Sequence, residues 1–374
     1  MPYYFKIPAL ATPPLTIDQR AAIYQTLPVS LSGGPGTGKS VVSLYRHITN
    51  VENGKSSQLI TFTKTLALYL AQTCKEKNQL ASENICTIDS WLWKLHKRDE
   101  LIVDEAQDIK YRLKDKYGRI TWKSRDENGK LYEKINIYES VLKQRYPKVS
   151  FGADNAQMLT EDGIRTEELK QIFPNNISIS LRKNFRNTKP IMELSQNMFD
   201  NANISDDDIE NCVNDGELPY LFIGGEDEQE ERILTIIDRF YSEDAHNIAI
   251  LCPTAEMVNQ YFEFISEKFD DTSFYITANN GIDEIKKIHV TTFISAKGLE
   301  FDTVILPQFE KATYEYSKWK QFFVGVTRAK NNLYLLSGTD IPKIHNFVEV
   351  LSVENNTDNQ KDDFRREEID DLPF

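Results

Sequence analysis

The chain has 374 residues, of which 40% are hydrophobic and 27% charged, and a formal net charge of −13; this is a soluble globular composition with room for two or three domains. No stretch approaches the roughly 18 apolar residues of a membrane span. Met1-Pro2-Tyr3-Tyr4-Phe5-Lys6 lacks a signal-peptide layout, and the dispersed Cys74, Cys86, Cys212 and Cys252 show neither a disulfide framework nor metal-ligand spacing. A cytoplasmic protein with no membrane partner is expected.

The acidity is unevenly spread. Residues 190–231 hold 13 acids and no base, and residues 354–374 carry a net −5. Residues 110–148 carry a net +7. Local potential rather than overall charge decides where phosphate can dock.

Taken in order, the expected strands are 29–32, 58–63, 85–87, 101–104 and 149–153, with helical patterns between most of them. A second set begins near 177 with strands at 177–181, 220–224, 247–252, 273–277, 287–293, 302–306 and 332–337. Helices at 188–199, 226–241, 255–268 and 317–330 separate some of these. Such alternation predicts mostly parallel sheets covered on both faces. Two α/β lobes are expected, residues 1–178 and 179–350, followed by an acidic, disordered tail over 351–374.

The first strand runs into Gly33-Gly34-Pro35-Gly36-Thr37-Gly38-Lys39-Ser40, which fits the phosphate-binding loop G-x-x-x-x-G-K-[ST] at every fixed position. Glycines let backbone N–H groups turn toward phosphate oxygens, and the following helix adds positive potential at its N-terminus. Lys39 is placed for β- and γ-phosphates and Ser40 for Mg²⁺. The strand Leu101-Ile102-Val103 ends in Asp104-Glu105-Ala106-Gln107-Asp108. A carboxylate beside a phosphate loop supplies a second Mg²⁺ contact; that is Asp104, with Glu105 placed to polarise the attacking water.

Further runs follow in a fixed order. They are Leu15-Thr16-Ile17-Asp18-Gln19, Thr61-Phe62-Thr63-Lys64, Thr87-Ile88-Asp89-Ser90-Trp91, Gly152-Ala153-Asp154-Asn155-Ala156-Gln157, Asn184-Phe185-Arg186, Ser295-Ala296-Lys297-Gly298-Leu299-Glu300-Phe301 and Val324-Gly325-Val326-Thr327-Arg328-Ala329. With the phosphate loop and the Asp-Glu box, the chain from about 15 to 338 resembles superfamily 1 helicases of the UvrD/Rep type. The resemblance implies two RecA-like lobes with ATP and Mg²⁺ in the cleft between them. It implies that Gln19 reads adenine, Phe185 stacks on it, and Gly298 and Glu300 lie at the ribose. Gln157 and Arg186 would sense the γ-phosphate, and Arg328 would be the arginine finger. Phe62, Thr63, Lys64 and Ser90 would hold single-stranded DNA, with RNA as the alternative.

The sequence departs from that family in several places. Only residues 92–100 separate the Ser90 and Asp104 boxes, and residues 255–290 are short, so the family's two accessory insertions are not expected. Met158-Leu159-Thr160 follows Gln157 where the family carries a base-stacking aromatic, and Ile294 stands where a histidine is common. Residues 110–148 are longer than usual; 119–122 and 130–133 flank Asn128-Gly129, a hairpin signal. The hairpin's bases and aromatics, Trp122, Lys123, Arg125 and Lys130 among them, suit a single-strand platform.

The chain's end, Asp370-Asp371-Leu372-Pro373-Phe374, resembles the acidic tip of bacterial single-stranded DNA-binding protein. The resemblance implies docking on proteins that bind that tip. The expected function is an ATP-driven single-stranded DNA translocase or helicase; the alternative is an ATP-controlled adaptor that brings a partner, such as a nuclease, to single strands.

Overall fold

The computed structural model describes residues 15–114, 120–121, 128–160, 163–274, 286–314 and 319–352. Strands β1 (Val29–Ser32), β2 (Ser57–Thr61), β3 (Ile85–Thr87) and β4 (Glu100–Val103) alternate with helices α1 (Ile17–Tyr24), α2 (Lys39–Glu52), α3 (Lys64–Lys75), α4 (Gln79–Ser82) and α5 (Ile88–Leu92). After β5 (Tyr111–Lys114), β6 (Ile120–Thr121) and β7 (Glu133–Asn136), the parallel pattern resumes with β8 (Val149–Ala153) and β9 (Ile177–Ser180). Six of these form one parallel sheet, in the order β3-β2-β4-β8-β1-β9. Every residue of β2, β4 and β8 is buried, as a sheet covered on both faces requires. Val42, Leu44, Leu66 and Leu70 of α2 and α3 pack in one core cluster, and Ile88, Trp91, Tyr138, Leu142 and Leu169 in a second.

The rest of the chain adds a short pair, β10 (Asn184–Thr188) with β11 (Cys212–Asn214), and a second sheet. Strands β12 (Tyr220–Ile223), β13 (Ile248–Cys252), β14 (Thr272–Phe274), β15 (Ile288–Thr292), β16 (Phe301–Leu306), β17 (Ala329–Ser337) and β18 (Glu349–Ser352) pair in parallel in the order β14-β15-β13-β16-β17-β12-β18. The first core cluster runs on into this part through Leu181, Leu299, Phe322 and Leu335. The molecule is thus α/β, with two mostly parallel sheets, consistent with two RecA-like lobes.

Two expectations need correction. The strand assigned to the opening of the second set, at 177, closes the first sheet instead: β9 pairs with β1 from Val29↔Ile177 to Ser32↔Ser180. The second concerns the expected hairpin between 119–122 and 130–133, of which residues 119 and 122 lie outside the described residues; among the described strands β6 and β7 are not paired with each other. β6 and β7 each pair antiparallel with β5, which lies between them. Arg112 of β5 donates through Nε to Asp89 of α5 at 2.8 Å, which ties this small sheet to the first sheet's helices. Asn128-Gly129, with Gly129 at φ 77°, then falls in the connection from β6 to β7.

α2 carries polar groups into the core, each with partners. Arg46 donates to Glu100 at 2.7 Å and to the carbonyls of Ala22, Gln25 and Leu27. His47 sits between the Ala81 carbonyl and the Ser57 hydroxyl, each at 2.9 Å. A carbonyl only accepts, so Nε2 carries the proton and Nδ1 accepts from Ser57. Burial pushes His47 down to about 4, and His289 likewise to about 4.

A base whose folded pKa lies below its unfolded value of about 6.5 keeps its full contribution above that value. The contribution is lost as pH falls toward 4, up to about 3 kcal/mol per histidine. Denaturant unfolding between pH 7 and 4 is therefore expected to show a shallower loss of stability in His47→Gln than in the wild type. Parallel curves would show that His47 is not held neutral.

Candidate active site

The phosphate-type loop links β1 to α2, and two of its glycines are forced by geometry. Gly36 (φ 68°) would drive a Cβ into the Asn184 side chain, and Gly38 (φ 86°) would bring one to 2.6 Å from Gln19 Nε2. Gln19 is fixed by the α1 capping box with Thr16, and its Nε2 donates to the Thr37 carbonyl at 3.1 Å. The Lys39 ammonium donates to the carbonyls of Gly33 (2.6 Å) and Gly34 (2.7 Å) and approaches Asp154 at 3.4 Å.

β4 delivers Asp104 and Glu105 behind this loop. Asp104 is buried, and its Oδ2 has no hydrogen-bond partner. Burial and the adjacent Glu105 charge push its carboxyl up, with Ser40 and Lys39 pulling the other way. Glu105 takes a left-handed backbone at φ 54° and accepts from Gln107 Nε2 at 2.6 Å. Burial works against the Glu105 charge, but Lys297, Lys39 and Arg328 outweigh it and hold that carboxyl down. One carboxylate of the adjacent pair is thus held ionised while its neighbour retains affinity for a proton.

The cleft is closed by groups from the second half of the chain. Lys297, fully buried, bonds to Asp108, to the Gln157 carbonyl (2.7 Å) and to Glu105 (3.1 Å). Arg328 Nη2 donates to Gln157 Oε1 at 2.7 Å, and Gln157 Nε2 donates to Asp154 at 2.8 Å. Burial and the nearby Arg186 charge push the Arg328 pKa down. Arg186 Nε donates to Glu300 at 2.9 Å, and the Phe185 N–H donates to the Gly36 carbonyl at 3.0 Å.

These groups surround a cavity of ≈ 260 Å³. From the first sheet come Gln19, the loop from Gly36 to Ser40, Glu105 and Gln157; from across the cleft come Phe185, Arg186, Gly298, Glu300 and Arg328. Gly34 and Pro35 face a neighbouring cavity of ≈ 860 Å³ instead, and Gly33 binds Lys39 from behind. Tyr69, Leu15 and Lys330 also line the smaller cavity, and sequence reading missed them. Lys297 was missed as a site residue too, although its motif was recognised.

The site suits the groups expected of it. An orphaned buried carboxylate oxygen, beside the Ser40 that lines the cavity, is the hard oxygen donor set a Mg²⁺ ion takes. The loop's ammonium and helix N-terminus suit phosphate.

The expected strand-contacting residues lie elsewhere. Thr61 and Thr87 are neighbours across β2 and β3, so the two motifs adjoin. Phe62 and Thr63 are half-buried there, and Lys64 and Ser90 are exposed. Lys130 is exposed on the β6–β7 connection. Trp122, Lys123 and Arg125, and the tail Asp370 to Phe374, lie outside the described residues.

Comparison with known proteins bears on this geometry. Residues 29–209 match the family model described as the Schlafen group 3 DNA/RNA helicase domain. Residues 287–336 match that of the UvrD-like helicase C-terminal domain. Both family models are of helicase-type domains. Among solved structures, the chain is similar to the C-terminal domain of a possible DNA helicase from Lactobacillus plantarum WCFS1, with 18% identity over 44% of this chain and 98% of that one and a TM-score of 0.35. No curated protein matches the chain. Among the described residues no helix is long and apolar enough to cross a membrane.

Breaking a buried ion pair by removing one partner costs about 3–5 kcal/mol. Lys297→Met, which strands Asp108 and Glu105, is expected to lose that much in denaturant unfolding. Lys297→Met with Asp108→Leu should recover part of the loss. A single variant within about 1 kcal/mol of wild type would show that the pair carries no such weight.

Proposed function

We propose that this chain is an ATP-driven motor on single-stranded nucleic acid, a translocase or helicase that hydrolyses ATP between two RecA-like lobes. The observation that carries the reading is convergence. A phosphate loop, Glu105 and Arg328 come from separate parts of the chain and meet around one cavity, with Asp104 buried beside Glu105. Helicase-type domains in both halves of the chain agree with it. Because β9 completes the first sheet, we place the lobe boundary after Ser180, with the second lobe running to about 350.

In this reading Lys39 exchanges its loop carbonyls for β- and γ-phosphate oxygens. Ser40 and Asp104 hold Mg²⁺, which when bound neutralises charge on those phosphates. Glu105, held ionised, orients the attacking water. Gln157, Arg186 and Arg328 meet the γ-phosphate; guanidinium suits this because its fork matches phosphate oxygens. Gln19 and Phe185 take the adenine, and Gly298 and Glu300 the ribose. Arg328 and Arg186 are bonded to Gln157 and Glu300, so nucleotide binding must exchange protein contacts for phosphate contacts. That exchange couples turnover to movement of the lobes. The single strand lies along Phe62, Thr63, Lys64 and Ser90, beside the basic β5–β7 sheet.

The test is the steady-state ATPase rate with and without single-stranded DNA. Turnover stimulated by the strand and abolished in Lys39→Ala is expected. Arg328→Ala should fall by about 10³–10⁵-fold while retaining nucleotide binding. A rate indifferent to single strands, DNA or RNA, would reject the motor.

A further inference from the structure

The segment joining α5 to β4 carries a feature that the helicase-type reading does not use. Trp93 is 72% exposed, although its neighbour Trp91 is buried. Single exposed apolar side chains are common on protein surfaces, so what matters here is whether the loop is firmly held. This one is. The Trp91 ring lies against that of Tyr146, tilted at 51° with centroids 5.2 Å apart, and the Tyr146 hydroxyl donates to the His96 carbonyl at 2.8 Å. The Leu95 N–H returns to the Trp91 carbonyl at 3.0 Å. Arg98 donates to Asn84 at 2.7 Å and to Gln58. Leu95 is also kept at φ 41°, a left-handed conformation unfavourable for a branched side chain. The loop therefore presents Trp93 in a fixed place at some cost in backbone strain.

The surroundings of that place are basic and next to the strand-contacting motif. Lys94, His96 and Lys97 are exposed beside Trp93. The Lys94 charge acts on Cys86 of β3, one residue before Thr87, and Ser90 lies in α5 immediately before the loop. On the other side of α5, Asp89 tethers β5 through Arg112, and there Lys110 and Lys134 flank the Tyr111 ring at 4.9 and 4.7 Å. An exposed indole among cations is the chemistry of a base-stacking step on a phosphate track.

We propose that Trp93 stacks on a base of a single-stranded nucleic acid, with Lys94 and Lys97 on the flanking phosphates. This extends the strand path beyond Ser90. It supplies an aromatic contact on the first lobe, where Met158-Leu159-Thr160 provides none after Gln157. The inference rests on the motor reading above, since it assumes that a single strand crosses this face.

The experiment titrates a short labelled oligothymidylate against the full chain and its variants at several salt concentrations. Trp93→Ala is expected to weaken binding by about 5- to 150-fold with an unchanged salt slope, because stacking is uncharged. Trp93→Phe should keep most of the affinity while losing much of the strand-induced quenching of tryptophan emission. Lys94→Ala with Lys97→Ala should lower the salt slope by about one unit or more. Thermal unfolding of Trp93→Ala should match wild type, since the ring is exposed. Wild-type binding undiminished in Trp93→Ala would overturn the stacking role and leave the motor reading intact. Failure of the wild type to bind any single strand would remove both. Weak binding by Trp93→Ala accompanied by a lowered melting temperature and no rescue by phenylalanine would assign Trp93 a structural role and overturn the proposal.

Discussion

A buried ammonium with three partners holds the two halves of this molecule in register. Lys297 comes from the loop after β15, yet its partners Asp108, Glu105 and the Gln157 carbonyl all belong to the first sheet's loops. A charge with no access to water must be paired where it lies. The second sheet cannot withdraw from the first without breaking the contacts of Lys297 with Asp108, Glu105 and the Gln157 carbonyl. Burial alone would lower the Lys297 pKa, but Asp108 and Glu105 reverse the effect and raise it. The same contact orders the neighbouring groups: with the Gln157 backbone held by Lys297, its side chain is aimed between Asp154 and Arg328.

The acidic pair follows from that constraint. Two adjacent buried carboxyls cannot both ionise freely, and the positions of the cations decide which one does. Lys297 contacts Glu105 directly, while Asp104 meets no ammonium within bonding distance. Hence Glu105 goes down and Asp104 goes up. The proposed division of labour needs this asymmetry. A group that orients water should be charged before the nucleotide arrives, whereas a group that meets a cation can wait to be ionised by it.

Much of this was readable in the sequence because it is local. The phosphate-type loop follows from spacing alone. The strands follow from short apolar runs, since a strand buried on both faces must be apolar throughout. What escaped was long-range. β9 reads as an ordinary edge strand, and only pairing with Val29–Ser32 assigns it to the first sheet. In the β5–β7 sheet, Asn128-Gly129 signals a turn without saying which strands it joins, and the pairing of β6 and β7 with β5 is visible only in the fold. Lys297 sat inside a recognised motif, but nothing in that run shows Asp108, 189 residues earlier in the chain, and Glu105 closing on it. Tyr69 belongs to the apolar stripe of α3 and reaches the cavity wall only through the packing of that helix.

Sheet order also explains how two distant activities could share one lobe. β1, β4 and β8 are contiguous and carry the loop, the acidic pair and Gln157 at their ends. β2 and β3 lie immediately beside them and carry Phe62, Thr63 and Ser90. A parallel sheet presents all its C-terminal ends to one side, where ligands gather. The proposed nucleotide contacts and the proposed strand contacts are therefore neighbours on one edge of the sheet. Movement of the second sheet, tied to that edge through Lys297 and Arg328, would be felt by both. The loop bearing Trp93 starts from that edge, at the end of α5 beyond Ser90, and runs back to the start of β4, where Arg98 and Asp99 fasten it to Asn84, Gln58 and Ser56.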